Sequence, residues 1–317
     1  MESIIKNDQG RTSIKKVTFK SNGLNIAGLL YSPIDIDAKH ELVPAIVVGH
    51  PGSGVKEQTA SLYATLLAER GFIAITFGAA YQGESEGTPR GMEDSAQRVE
   101  DIKCAVSFLN TVKEVNAEKI GVLGICASGG YGLSAAATDH RIKAIATVSA
   151  TDMGRQFRNG GDGKQDPGII QAMLDAAAAD RTEEAKGKEP GYFPIFPESE
   201  ARAKAMGDHV FEGWEYYCTD RGQHPRSAKA FPWNSVDRMA GFDTFRFAHL
   251  ITPRPLLMIA GSEAVTFWQT KEAYEIANEP KEVFLINGAS HVALYDKMEF
   301  VSPAISRLEE FFKSTLE

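Results

Sequence analysis

The stretch Lys119-Ile-Gly-Val-Leu-Gly-Ile-Cys126-Ala-Ser-Gly-Gly130 decides the fold. A short apolar run ending at a glycine suits a buried parallel strand, and the alanine-rich Tyr131-Gly-Leu-Ser-Ala-Ala-Ala137 behind it suits a packed helix. Cys126 falls on the turn between them. A strained turn flanked by small residues exposes its side chain at the top of a sheet, and the following helix N-terminus favours an anion there. Gly124-Ile125-Cys126-Ala127-Ser128 thus fits a Gly-Xaa-nucleophile-Xaa-small turn, with serine where a second glycine is usual. The competing account is a buried apolar cysteine in an ordinary glycine-rich turn. The rest of the chain decides between them.

Working outward, residues 14–20 alternate and residues 24–31 do so loosely around Ser21-Asn22-Gly23, which predicts an antiparallel hairpin. Residues 44–49 form a short apolar strand ending in His50-Pro51-Gly52-Ser53-Gly54, followed by an amphipathic helix over 57–70. The period repeats as strand 72–77, helix 92–109, strand 120–123, helix 126–137 and strand 142–149. It resumes as strand 253–260, helix 271–277, strand 282–286 and helix 302–312. Strands alternating with helices predict an α/β protein whose mainly parallel, eight-stranded sheet is covered by helices on both faces.

Between residues 151 and 252 the rhythm breaks at Gly160-Gly-Asp-Gly163, Lys186-Gly-Lys-Glu-Pro-Gly191 and Pro194 to Pro197. This segment reads as a helical cap inserted into a core built from residues 1–150 and 253–317. Its aromatic residues either form the cap's own small core or line an apolar pocket. Tyr81, Trp214, Tyr217 and His224 are the candidates for the substrate pocket, with Arg221 and Arg226 as holders of a substrate anion or as plain surface ion pairs.

The 317 residues are 43% hydrophobic and 24% charged, enough for a large core. A formal charge of -8 argues against nucleic acid as a partner, since phosphate binding needs a basic face. No apolar run reaches the roughly 18 residues of a membrane span and no secretory h-region opens the chain, so the expectation is a cytoplasmic protein with no membrane partner. Three cysteines without metal spacing fit a reducing compartment, and no cofactor or metal is implied. A homodimer is left open.

A thiol nucleophile needs a base to form the thiolate and donors to hold the oxyanion. The base is His291, in the loop Gly288-Ala-Ser-His291 at the carboxyl end of a strand, the edge where open α/β sheets build their sites. The donors are the backbone N–H groups of Gly52 and Ala127, because Pro51 has none to offer.

Pattern and order resemble the α/β-hydrolase superfamily over nearly the whole chain. Within it the sequence is similar to the dienelactone-hydrolase-like branch, which includes uncharacterised bacterial hydrolases and fungal polyketide transferases. The resemblance rests on Gly49-His-Pro-Gly-Ser-Gly-Val-Lys-Glu-Gln58, Ala80-Tyr-Gln-Gly-Glu-Ser85, Gly124-Ile-Cys-Ala-Ser-Gly-Gly-Tyr131, Thr219-Asp-Arg-Gly-Gln-His-Pro-Arg226 and Gly288-Ala-Ser-His-Val-Ala-Leu-Tyr-Asp296. It implies an α/β-hydrolase fold, a Cys-His-acid triad and chemistry on esters, lactones or thioesters. The chain departs from that pattern twice. Val265 stands where such relatives carry the triad aspartate, and Gly78 stands where they carry another. Glu263 is the nearest substitute acid, Asp152 the next, and a Cys–His dyad with neither is the third alternative.

Three functions follow. The first is a hydrolase acting through a Cys126 acyl-enzyme on a small-molecule acyl substrate, with His291 as general base and acid. The second is an acyltransferase or cyclase of secondary metabolism using the same pair. The third is a non-catalytic binding protein on the same fold.

Overall fold

The computed structural model describes residues 5–6, 12–34, 36 and 42–316. Strand β1 (Ile5–Lys6) pairs antiparallel with β2 (Thr12–Ser21), and β2 with β3 (Leu24–Pro33). The β2–β3 hairpin closes on Asn22 and Gly23, both at positive φ (45° and 83°). That turn matches the right-handed twist of the flanking strands, and Asn-Gly adopts it at least cost.

The chain then runs β4 (Val43–Gly49), α1 (Thr59–Ala68), β5 (Ile73–Phe77), α2 (Ser95–Leu109), β6 (Val115–Ile125), α3 (Ala127–Thr138) and β7 (Ile142–Val148). Between β7 and the next sheet strand it leaves the sheet for α4 (Met153–Asn159), α5 (Pro167–Ala185), β8 (Tyr192–Pro194), α6 (Glu200–Ala205), α7 (Asp208–Cys218), β9 (Ala230–Pro232) and α8 (Ser235–Ala240). It returns as β10 (Leu256–Gly261), α9 (Phe267–Ile276), β11 (Lys281–Ile286), α10 (Ala293–Asp296) and α11 (Met298–Leu316).

Among the described residues the main sheet has the order β1-β2-β3-β5-β4-β6-β7-β10-β11, parallel from β5 to β11. This is the α/β-hydrolase fold, with the eight strands expected and the two-residue β1 added at its edge. From β4 the chain crosses to β5 on one side and then to β6 on the other. The carboxyl ends of β4 and β6 therefore flank a crevice where connections diverge.

Alternating strand residues feed two buried layers. Val47, Ile75, Val122, Ile145 and Met258 face α2 and α3, while Ile46, Val48, Leu123 and Ile259 face α1 and α11. In α11 the buried set Val301, Ala304, Ile305, Leu308, Phe311, Phe312 recurs at helical spacing, so one stripe of the helix covers the sheet. The segment between β7 and β10 is tied down through backbone and side chain alike. Ala228 N–H (3.1 Å) and Ser227 Oγ (2.9 Å) donate to the Ser53 carbonyl, and Gln58 Nε2 donates to the Gly222 carbonyl (2.6 Å).

Candidate active site

Cys126 stands between the last residue of β6 and the first of α3 at φ 53° and ψ -118°, a conformation costly for a residue with a Cβ. Three backbone bonds impose it: Cys126 N–H to Val148 O (2.9 Å), and Gly129 N–H (2.8 Å) and Thr151 N–H (3.0 Å) to Cys126 O. The glycine at 124 is obligatory, because a Cβ there would lie 2.1 Å from the Ser128 carbonyl oxygen. The thiol is half-buried. Its S–H faces the Thr151 hydroxyl (4.0 Å), and the Tyr295 side chain and the Ala127 and Gly52 backbones surround it.

The loop bearing Gly52 is held from beneath by a buried polar network. Arg98 donates to the His50 carbonyl (2.8 Å) and to His50 Nε2 (2.9 Å), its Nε lies 3.3 Å from the Glu93 carboxylate, and Tyr131 donates to Glu93 (2.9 Å). Ser128 Oγ donates to the same His50 carbonyl (2.6 Å), so the first turn of α3 and Arg98 of α2 hold the loop through one acceptor. His50 Nδ1 bonds to the Pro51 carbonyl (2.7 Å) and Nε2 accepts from Ala79 N–H (3.1 Å). Burial first and Arg98 second hold its pKa well below the usual histidine range, which makes it a neutral strut rather than a base.

His291 follows β11 and is buried. Its Nδ1 lies 2.6 Å from Thr266 Oγ1 and its Nε2 3.0 Å from the Tyr295 hydroxyl. Burial pushes its pKa down to about 4, opposed by the nearby Glu212 carboxylate. Two expectations are corrected here. Glu263 is exposed, its carboxylate bonded to Ser262 Oγ (3.3 Å) and its N–H to Ala289 O (3.0 Å), so it does not back the histidine. Asp152 is buried as the N-cap of α4, accepting from Arg155 N–H (2.8 Å) and Thr244 N–H (2.6 Å). The triad-acid place is taken by a neutral hydroxyl, Thr266, one residue beyond Val265.

Of the pocket candidates, Tyr217 sits at the site, its hydroxyl 3.5 Å from the Gly52 carbonyl and its ring edge-on to Tyr295 (6.5 Å between centroids). The others lie elsewhere. Trp214 stacks on Phe211 (6.4 Å between centroids), and His224 Nδ1 caps its own turn by accepting from Arg226 N–H (3.2 Å). Tyr81 lines a separate recess of about 290 Å³ with Arg90 and Arg226. Arg221 bonds both oxygens of Asp296 (2.9 and 2.7 Å) and Arg226 bonds Glu57 (2.6 Å), so both tie the inserted segment to the core. A groove of about 1110 Å³ reaches His291 past His209, Glu212 and Val265; Cys126 does not line it.

Sequence reasoning missed Thr266 and Tyr295. A signal for the second was present: His291 and Tyr295 are four apart, the spacing that puts two side chains on one face of a helical turn.

The protonation states have a measurable consequence. Burial raises the Cys126 pKa and depresses that of His291, so at neutral pH the pair is thiol and imidazole rather than thiolate and imidazolium. Alkylation of Cys126 by iodoacetamide should climb about tenfold per pH unit from pH 7 through the ordinary thiol range near 8.5. A flat profile below pH 7 would mean a preformed ion pair and contradict this arrangement.

No helix among the described residues is long and apolar enough to cross a membrane. Comparison with known proteins adds a family. A model of the X-Pro dipeptidyl-peptidase (S15) family matches residues 22–293. The uncharacterized protein YcjY of Escherichia coli K12 is 37% identical over 305 residues, 95% of this chain and 99% of its own. The crystal structure of the hypothetical protein PA2218 from Pseudomonas aeruginosa aligns with a TM-score of 0.90 at 35% identity, covering 96% of this chain and 94% of that one. The thiohydrolase apmlB of Arthrinium phaeospermum is 32% identical over 193 residues, 60% of this chain and 58% of its own.

Proposed function

The chain belongs to the X-Pro dipeptidyl-peptidase (S15) family, and from that premise we propose that it is a hydrolase cleaving esters, lactones or thioesters through an acyl-enzyme on Cys126. One observation carries the proposal: Gly52 packs against Ala127, where a Cβ at residue 52 would lie 3.7 Å from the Ala127 Cβ, so N–H groups of two different loops stand beside a cysteine held at positive φ. Sγ attacks the carbonyl carbon, His291 takes the thiol proton, and the two N–H groups receive the oxygen as it becomes negative. The intermediate collapses, the leaving oxygen or sulfur recovers the proton, and water resolves the acyl-enzyme with His291 again as base.

Ester-type bonds fit better than the amide in the family's name. In a tetrahedral intermediate on sulfur the better leaving group departs, and a thiolate outruns an amide nitrogen unless an imidazolium protonates it. An imidazole with a pKa of about 4 is a weak base for the thiol, which favours the more electrophilic ester and thioester carbonyls over an amide. A thiolate or activated alkoxide leaves without protonation. Cysteine at the elbow, where S15 peptidases typically use serine, agrees with the likeness to the dienelactone-hydrolase-like branch, and the name of the thiohydrolase apmlB supports a thioester substrate. Residues 151–252 act as the cap over this site, with Tyr217 as their contribution to it.

Intact mass after incubation with a panel of activated esters and thioesters tests the proposal. The expected result is one acyl increment that Cys126→Ala abolishes together with turnover. Turnover that survives in Cys126→Ala would end it. Adding an acceptor alcohol and measuring product partition separates hydrolysis from acyl transfer.

A further inference from the structure

His291 Nε2 and the Cys126 sulfur share a neighbour, Tyr295, whose hydroxyl lies 3.0 Å from Nε2 and whose ring belongs to the buried cluster that Cys126 packs against. We infer that Tyr295 is a catalytic residue, a proton relay through which the Cys126 thiol is deprotonated by His291. The inference rests on the acyl-enzyme proposed above and assigns it one further residue.

One arrangement serves the relay, with the S–H turned from Thr151 Oγ1 (4.0 Å) to Tyr295. Nδ1–H donates to Thr266 Oγ1, which leaves Nε2 as an acceptor. Tyr295 O–H then donates to Nε2 and its oxygen accepts the S–H. The Tyr217 hydroxyl turns its own proton toward the Gly52 carbonyl (3.5 Å) and does not compete for Nε2. As Sγ bonds to the acyl carbon, the S–H proton passes to Tyr295 O while the phenol's proton passes to Nε2. The phenol is neutral before and after, the imidazole ends as imidazolium, and the new O–H points at the sulfur. When the leaving oxygen or sulfur departs, it takes the phenol proton and Nε2–H replaces it.

A mobile plug is the competing role, and the packing opposes it. The Tyr295 ring is buried edge-on against Tyr216 (5.2 Å) and Tyr217 (6.5 Å), and its carbonyl accepts from Thr59 Oγ1 (2.8 Å). Swinging the ring aside would disrupt both ring contacts and expose a buried aromatic side chain.

Tyr295→Phe removes the oxygen and little else. Single-turnover acylation by an activated thioester should fall about 100-fold. The pH profile of Cys126 alkylation should move to higher pH, because the thiolate loses a donor. In mixed light and heavy water the wild-type acylation rate should curve with deuterium fraction, as two protons in flight require, and the Phe variant should be linear. Acylation within threefold of wild type with an unmoved alkylation profile overturns the relay, and faster acylation in Tyr295→Phe would make the residue a plug. If Tyr295→Phe does not fold, a linear wild-type dependence still overturns it. If wild type forms no acyl-enzyme at all, the hydrolase proposal fails, while the alkylation profile still decides whether Tyr295 serves the thiol.

Discussion

Cys126→Ser should lose turnover almost as completely as Cys126→Ala, by about 10³–10⁴ in kcat on a thioester substrate. The elbow would still present an oxygen to the same two N–H groups, so geometry is not what fails. A serine hydroxyl needs a base strengthened by a carboxylate on its far nitrogen, and here that nitrogen meets the neutral Thr266 hydroxyl. Burial has already weakened the imidazole, to a pKa of about 4. A thiol tolerates this because it is several pKa units more acidic than an alcohol. The loss is therefore conditional on residue 266. In Cys126→Ser/Thr266→Asp the new carboxylate favours the imidazolium and should recover at least about tenfold over the serine single variant. Kinetics of the two variants from pH 7 to 9 check both. Wild-type-like rates in Cys126→Ser would mean that His291 finds a stronger partner than Thr266.

Arg98→Met should cost about 3–5 kcal/mol of stability, the usual penalty for orphaning one member of a buried ion pair. Arg98 is 5% exposed and Glu93 fully buried, so water cannot replace the guanidinium. The same change strips donors from the His50 carbonyl and from Ser128 Oγ (3.3 Å), the two groups that hold the Gly52 loop against the elbow. Activity should therefore fall with stability, by about 100-fold in kcat if one oxyanion donor is misplaced. Burial already raises the Glu93 pKa, with Arg98 opposing, and losing Arg98 raises it further. A carboxyl whose folded pKa exceeds its unfolded one binds its proton more readily in the folded state. The deficit of Arg98→Met should accordingly be largest at pH 7 and shrink as pH falls toward 5, which urea midpoints at the two values measure. Adding Glu93→Gln should restore stability but not kcat. Recovery of both would show that the network acts on the fold alone.

The elements that carry the site were legible because each depends on neighbours along the chain. Asn22-Gly23 needs only its own backbone preference to close a hairpin, and the apolar runs of β4, β5 and β6 need only burial on both faces. The elbow was readable for the same reason, since the crowding that forbids a Cβ at residue 124 comes from Ser128, four residues on. The partner of His291 was not. Glu263 and Thr266 share one loop, and its backbone, docked through Glu263 N–H on Ala289 O, sends the carboxylate outward and the hydroxyl toward the ring. Periodicity also failed to separate Tyr217, which meets Gly52, from Trp214 one turn earlier, which packs on Phe211.

What the amino-acid order determined by itself was the succession of strands and helices, the strained turn at Cys126 and the edge of the sheet on which it opens. These follow from burial periodicity and from local steric rules that act over a few residues. Only the tertiary structure decided that a threonine meets one nitrogen of the histidine, that the Tyr295 hydroxyl meets the other, and that Arg98 and Ser128 grip the loop bearing Gly52. Apart from the four-residue step from His291 to Tyr295, these are contacts between residues 25 to 78 apart, and which atoms meet there is set by how whole elements pack.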